Sequence, residues 1–412
     1  MNKFKLLTTA FLLLFTFSIP VQAETIPKPE ISGETAITID ADSKDIIYAK
    51  NIDKRMYPAS TTKLITSILL AENRDKNYMF TYTSNAKSQE QTSLGLPIGD
   101  KISADDAMKA ILLFSANDIA YLAGEDIGGG NIKSFADLMN KKVSDLNLQN
   151  THFVTPNGLQ NIDHYSSAYD MSIIAMQLYK YPWIMDTMLN SNATVKTSNG
   201  LSFTFDNRNK LIGKDGCIGG KTGFTSDAGR CLVTLYKRDN RNIIGVIMKC
   251  GNNINDDTIF NDMTKIINWS YSTEKSTLFI KNSSLKTVDA SYSIGSYEKE
   301  QKTTNIQLML HDDITKYDNG LNYDISYKIN DIDPYKLDKN TSIGTVTLTE
   351  KSTSHTYNLY PDVSKDKFVE ESKALDKQFL IKWITIGASS LLGLIVIITV
   401  IILIKKKLKK HE

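Results

Sequence analysis

From Trp383 to Ile404 the chain carries no charged residue. At helical rise such a run crosses the ~30 Å hydrocarbon core of a bilayer, and only a helix satisfies the backbone of a single segment there. No polar face interrupts residues 391–404, which excludes an amphipathic helix lying on the membrane surface. Lys405, Lys406, Lys407, Lys409 and Lys410 follow at once, and the positive-inside rule keeps such a cluster in the cytoplasm. Residues 383–404 are therefore expected to anchor the chain in the cell membrane by a single pass, with 405–412 as a cytoplasmic tail and everything earlier outside. The opposite end, MNKFKLLTTAFLLLFTFSIPVQA, has basic Lys3 and Lys5, a short apolar run and a small-residue site at Ala23. It reads as a secretory signal peptide, residues 1–23, with the mature chain beginning at Glu24.

Lysine and arginine total 48 against 46 acidic residues, a net charge of +2, so nothing in the balance points to nucleic acid. The chain has three cysteines, Cys217, Cys231 and Cys250. An odd number builds no disulfide framework, although one pair between neighbouring strands, Cys231 with Cys250, stays open. Their spacing is not that of a metal knuckle, and neither a metal nor a cofactor is expected.

Between the two ends the patterning divides the chain. ETAITIDADSKDIIYAK (34–50) reads as a β-hairpin. A helix is expected to start at Ser60, just after Pro58, with Leu64, Ile65, Ile68 and Leu69 on its apolar face. Helical periodicity continues over 104–127, 132–146 and 168–178, broken by Gly128, Gly129 and Gly130. Strands return at 219–225, 230–236 and 242–248, followed by a helix at 257–271. Strands at both ends of a helical middle imply one mixed α/β domain, 24–274, whose termini meet in a single sheet. Residues 278–363 switch to short alternating runs such as TTNIQLML and SIGTVTLTE, an all-β pattern. The charged stretch 364–382 is left as a helical or flexible stalk.

The chemistry concentrates in three motifs. PASTTKLIT carries Ser60 and Lys63 as SxxK, which a helix places on one face. That pattern alone decides nothing, since Ser84 with Lys87, Ser272 with Lys275, Ser283 with Lys286 and Ser296 with Lys299 match it too. LLFSANDIA then supplies Ser115 and Asn117 as SxN, and GGKTGFTSDAG supplies Lys221, Thr222 and Gly223 as KTG at an expected strand. SxxK, SxN and KTG in this order, in helix, turn and strand context, form the signature of penicillin-binding proteins and serine β-lactamases. A serine hydroxyl needs a base, and a lysine acts as one only when neutral. Burial, a helix N-terminus and the nearby Lys221 all disfavour a charged Lys63.

The chain resembles the low-molecular-mass D-alanyl-D-alanine carboxypeptidases over most of the region outside the membrane. IDADSKDIIYAKNIDKRMYPASTTKLIT, THFVTPNGLQNIDHYSSAYDM and KTGFTSDAGRCLVTLYKRD carry the likeness along with the motifs. The resemblance implies a penicillin-binding, β-lactamase-like α/β (α+β) domain, then a small β domain and a membrane element. It implies peptidoglycan stem peptides as substrate and β-lactam antibiotics as covalent inhibitors. Ser60 would be the nucleophile, Lys63 its base, Ser115 a proton relay and Asn117 a holder of substrate or Lys63. Lys221 and Thr222 would bind the terminal carboxylate, with Gly223 on the strand that pairs with the peptide. Backbone amides of Ser60 and Phe224 would hold the oxyanion. One departure stands out: some relatives carry an arginine after the strand following KTG, and KCGNNINDDT has none. Arg208, in DNRNKLI, is either its substitute or a surface residue.

Two alternatives compete. A β-lactamase-like hydrolase of class A type needs a glutamate between SxN and KTG to activate water, and THFVTPNGLQNIDHYSSAYDM offers only Asp163 and Asp170, the latter at a helix start where capping is expected. A non-catalytic penicillin-binding sensor needs a cytoplasmic signalling domain, and few residues follow Ile404. A histidine triad is disfavoured because no GxSxG elbow occurs and His152, His164, His311 and His355 lack motif context.

Overall fold

The structure, a computed structural model, describes residues 27–251 and 253–408. The signal peptide 1–23 and the tail lysines Lys409 and Lys410 fall outside the described residues.

The first sheet has five antiparallel strands, in spatial order Ile46–Lys50, Thr35–Asp40, Arg241–Met248, Gly229–Arg238 and Cys217–Thr225. The two N-terminal strands thus pair directly with the late ones, through Thr35–Asp40 against Arg241–Met248. Side chains on a strand alternate between faces, and TAITID shows the result. Ile37 and Ile39 enter the larger core under the helices. Ala36 enters the core beneath helix Thr258–Ser272, and Thr38 Oγ1 bonds Ser270 Oγ of that helix at 2.6 Å. Strand Cys217–Thr225, which carries KTG, lies at one edge of the sheet. Among the described residues no further strand pairs with its outer side.

The helical middle departs from the expected segments where the active centre is built. The chain does not start an α-helix at Ser60. Ala59–Thr62 forms a 3-10 turn, and the α-helix begins at Lys63 and runs to Asn73. The expected 104–127 helix is two helices, Ala104–Lys109 and Asn117–Ile127, joined by the π turn Ala110–Phe114 and by Ser115 in the left-handed region at φ 73°. Periodicity cannot see this break, because apolar residues continue through it. Helix Ala168–Gln177 is capped by Ser167, whose side chain accepts from the Asp170 amide. The Asp170 carboxylate instead accepts from the Asn150 amide and the Thr151 hydroxyl, both at 2.8 Å, and ties down the preceding loop. All three cysteines are free and buried, so the Cys231–Cys250 pair does not form. Burial pushes both thiols up to about 12.

Beyond Ser272 the chain is sheet-rich. Strands Ser284–Ile294, Glu300–Met309, Thr353–Pro361, Gly344–Glu350 and Asp324–Ile329 form a second five-stranded sheet in that order. Its hairpin at Lys351 and Ser352 meets the first region. Tyr169 OH and Ser352 Oγ lie 2.6 Å apart, Lys351 pairs with Asp53, and Asp45 binds both Lys275 at 2.7 Å and His355 at 2.8 Å. The stretch after Ser364 is helical: residues 365–382 form the first part of one helix, Lys365–Leu408, which is long and apolar enough to cross a membrane.

Candidate active site

Three segments converge on Ser60. The 3-10 turn brings Lys63 under it, with Nζ 2.9 Å from Ser60 Oγ. Lys63 Nζ also lies 2.6 Å from Asn117 Oδ1 and 2.8 Å from the Asn157 carbonyl oxygen. The Asn117 amide is fixed in orientation because its Nδ2 donates to the Glu90 carbonyl at 2.9 Å. Lys63 is fully buried, and burial first, then the charges of Lys221 and Arg208, hold its ammonium well below the usual lysine range, against a smaller opposing pull from Asp118.

The oxygens of Asn117 and Asn157 can only accept, so each takes an N–H of Lys63. A neutral amine, the form that burial favours, would have one lone pair left for the Ser60 hydroxyl.

Ser115 enters from the other side. Its left-handed backbone ends the π turn and turns its hydroxyl toward Lys221, whose Nζ lies 3.0 Å from Ser115 Oγ and 2.9 Å from the Thr222 carbonyl oxygen. Burial, with Arg208 second, lowers Lys221 to about 7. Glycine at 223 eases the close approach of strand Cys217–Thr225 to Ser60: a Cβ there would sit 3.0 Å from both Ser60 N and Pro58 O, a tight contact.

Ser60, Ser115, Asn117, Thr222, Gly223 and Phe224 all line one cleft of about 590 Å3. Lys63 and Lys221 stand behind it, each within reach of a lining serine. Arg208 also lines the cleft, over the Phe114 ring and 3.2 Å from Thr92 Oγ1.

The model of a family described as D-alanyl-D-alanine carboxypeptidase matches residues 22–252, more than half of the chain. The chain belongs to this family. D-alanyl-D-alanine carboxypeptidase DacF of Bacillus subtilis is 34% identical over 221 residues, which are 52% of this chain and 57% of that relative. DacA of Haemophilus influenzae is 32% identical over 255 residues, 58% of this chain and 63% of the relative. The chain thus spans less than two thirds of the length of these curated relatives. The crystal structure of the Streptomyces K15 DD-transpeptidase superposes with a TM-score of 0.57 at 26% identity, covering 60% of this chain and 100% of that one. A D-alanyl-D-alanine carboxypeptidase from Mycobacterium tuberculosis shares the fold at TM-score 0.57 and 24% identity, over 61% of this chain and 96% of that one.

This carboxypeptidase-family chain also uses residues that motif spacing did not single out. Asn157 and Gly158 lie in TPNGL, a segment that carried the family likeness without an assigned role. The Asn157 carbonyl holds Lys63, and Gly158, at φ 79°, packs against the Ala59 carbonyl just before the nucleophile. His164 braces the same loop: its Nδ1 accepts from the Val154 amide at 3.0 Å, which leaves Nε2 to donate to Thr62 Oγ1 at 2.9 Å. Burial lowers this imidazole to about 3, which favours the neutral ring that these two hydrogen bonds require. Arg230 lines the cleft beside Phe224, its partner in strand register. Its guanidinium lies over Phe260 and donates to the carbonyls of Ile254 and Asp256. The sequence signal for Arg230 was its position, on the strand next to KTG rather than in the loop beyond it.

Proposed function

We propose that the chain is a serine D-alanyl-D-alanine carboxypeptidase that removes the terminal D-alanine from peptidoglycan stem pentapeptides through an acyl-enzyme on Ser60. The observation that carries this reading is the buried Lys63 Nζ, 2.9 Å from Ser60 Oγ and held by the oxygens of Asn117 and Asn157. Ser60 Oγ attacks the carbonyl carbon of the penultimate D-alanine as its proton passes to Lys63. The oxyanion is held by the amides of Ser60 and Phe224. Collapse breaks the peptide bond, and the leaving amine takes a proton through Ser115. Water then attacks the ester as Lys63 takes one of its protons, the acyl–Oγ bond breaks while that proton passes to Ser60, and the shortened peptide leaves as a carboxylate with the second proton lost to solvent. Lys221 and Thr222 receive the terminal carboxylate, with Arg208 and Arg230 supplying further positive charge where the expected downstream arginine is missing. The open edge at Gly223 offers the peptide backbone a strand to pair with.

In this proposal residues 24–274 are the peptidase domain, 278–363 a β domain, 364–382 the link and 383–404 the single-pass anchor, with the peptidase outside the cell. β-Lactams acylate Ser60, and no nucleic acid takes part. The test is mass spectrometry of a synthetic pentapeptide ending in D-Ala-D-Ala after incubation with the full chain in detergent. Loss of one alanine, absent in Ser60→Ala together with covalent labelling by a fluorescent penicillin, is the expected result. Labelling that persists in Ser60→Ala refutes the nucleophile, and a cross-linked product in place of the trimmed peptide refutes the carboxypeptidase reading.

A further inference from the structure

The link to the membrane is gripped by the β region along one helical face. Phe368 is fully buried, its ring 4.9 Å from Tyr292. One turn on, Glu371 accepts from Tyr292 OH at 2.6 Å and Ser372 Oγ from the Gly295 amide at 2.9 Å. After another turn the Asp376 carboxylate accepts from Ser296 N at 2.6 Å and Ser296 Oγ at 2.9 Å. Phe379 then stacks on Tyr297, with centroids 5.4 Å apart and planes at 5°. The ladder ends at Trp383, 6.0 Å from Phe379 and first in the charge-free run.

Contacts from 368 to 379 therefore run from Tyr292, near the end of strand Ser284–Ile294, through the turn that follows it to Tyr297, in the direction of the membrane. The turn after that strand, 295–299, is the end of the β region nearest the apolar span. Tyr297 at that turn is 62% exposed and Trp383 is 56% exposed. Four residues of helix separate Phe379 from Trp383, about 6 Å. The headgroup layer is itself about 5–8 Å deep on each side. Tyrosine and tryptophan concentrate at that depth because each combines an apolar ring with a polar tip. Charges around the turn are mixed, with Lys299 between Glu298 and Glu300, so the attraction does not depend on anionic lipid.

We propose that the 295–299 turn, with Tyr297 at its tip, is a second membrane contact that beds in the glycerophospholipid headgroup layer beside the anchor helix. This rests on the reading of 383–404 as a membrane span. A lone helix is free to tilt and rotate. The added contact restrains both, so the catalytic cleft is held in one orientation to the bilayer.

The experiment uses the full chain in phosphatidylcholine vesicles, with a bimane fluorophore on Glu298→Cys and, as a distant site, on Lys339→Cys; the three native thiols are buried. Lys339 lies close to the start of the helix, where Lys365 N donates to the Leu337 carbonyl, roughly 27 Å of helix above Trp383. A headgroup nitroxide lipid is expected to cut emission at 298 by about twofold or more, to leave 339 unchanged, and to act equally at high salt. Quenching of Trp383 by acyl-chain bromine, read against Trp383→Phe, reports the span separately. Trp383 quenched with 298 unaffected overturns the contact while the span stands. An unquenched Trp383 overturns the span reading, and the contact with it.

Discussion

Replacing Gly158 by alanine puts a methyl group where the carbonyl of Ala59, the residue before Ser60, already lies. A Cβ at 158 would sit 2.5 Å from the Ala59 carbonyl carbon and 2.8 Å from Thr62 Oγ1, with the Ala59 oxygen nearer still. Ordinary Cβ contacts begin at 3.4 Å, so restoring the carbon contact alone needs a movement of roughly 0.9 Å (3.4 − 2.5). The movement has two outlets. Either the turn at Ala59 retreats and carries Ser60 with it, or the 157–158 loop retreats and withdraws the carbonyl that holds Lys63. Both spoil the Ser60–Lys63 alignment, and a misplacement of about 1 Å costs on the order of a hundredfold in rate. The left-handed φ of 79° adds about 1–2 kcal/mol for a residue with a Cβ, and overpacking about 1–3 kcal/mol. Against a typical stability of about 5–15 kcal/mol the variant stays largely folded. D-Alanine release is expected to fall about a hundredfold in kcat/KM, in step with the rate of fluorescent-penicillin acylation, while a cooperative melt persists. Gly200→Ala is the control, since Gly200 has the same φ of 79° with nothing within 4 Å; it shares the backbone strain and keeps wild-type activity. A Gly158→Ala enzyme within about threefold of wild type refutes the argument that this contact positions the nucleophile.

Arg208→Gln removes one of the two charges that, after burial, hold the Lys63 ammonium down. Lys63 then keeps its proton to higher pH, and with the proposed role of the neutral amine as base the ascending limb of kcat/KM against pH moves upward; a limb that stays put or moves down contradicts the electrostatic role. Phe368→Ala empties a fully buried site in the β region and is expected to cost about 3–5 kcal/mol there, lowering the unfolding temperature seen by near-ultraviolet circular dichroism while D-alanine release at 25 °C is retained. Loss of activity with the first region still folded shows that the β region shapes the cleft.

Much of the site was legible because acyl transfer restricts residue type. A serine nucleophile needs a base within hydrogen-bond reach, and the SxxK spacing made Lys63 the candidate beside Ser60. The ordered SxN and KTG motifs removed the competing SxxK matches that spacing alone retained. The local backbone at the same residues was not legible. Apolar periodicity runs unbroken across Ala110–Phe114, so it predicted one helix where a π turn and a left-handed Ser115 expose the hydroxyl. The same limit applied at Ser60, where a 3-10 turn precedes the helix.

Composition and order along the chain determined the broad plan, because burial of apolar surface depends on local pattern: a charge-free run before a lysine cluster, alternating strands, and termini of one region with matching β character. Tertiary structure decided what depends on distance between remote segments. Asn157 contributes a backbone carbonyl, which any residue owns, so no residue type advertises its hold on Lys63 94 positions away. Arg230 reaches the cleft because its strand pairs with the KTG strand at Phe224. The lowered affinity of Lys63 and Lys221 for protons has the same origin. A lysine sequence carries no burial, and only the closing of sheet, turn and loop around these two removes the water that would keep them charged.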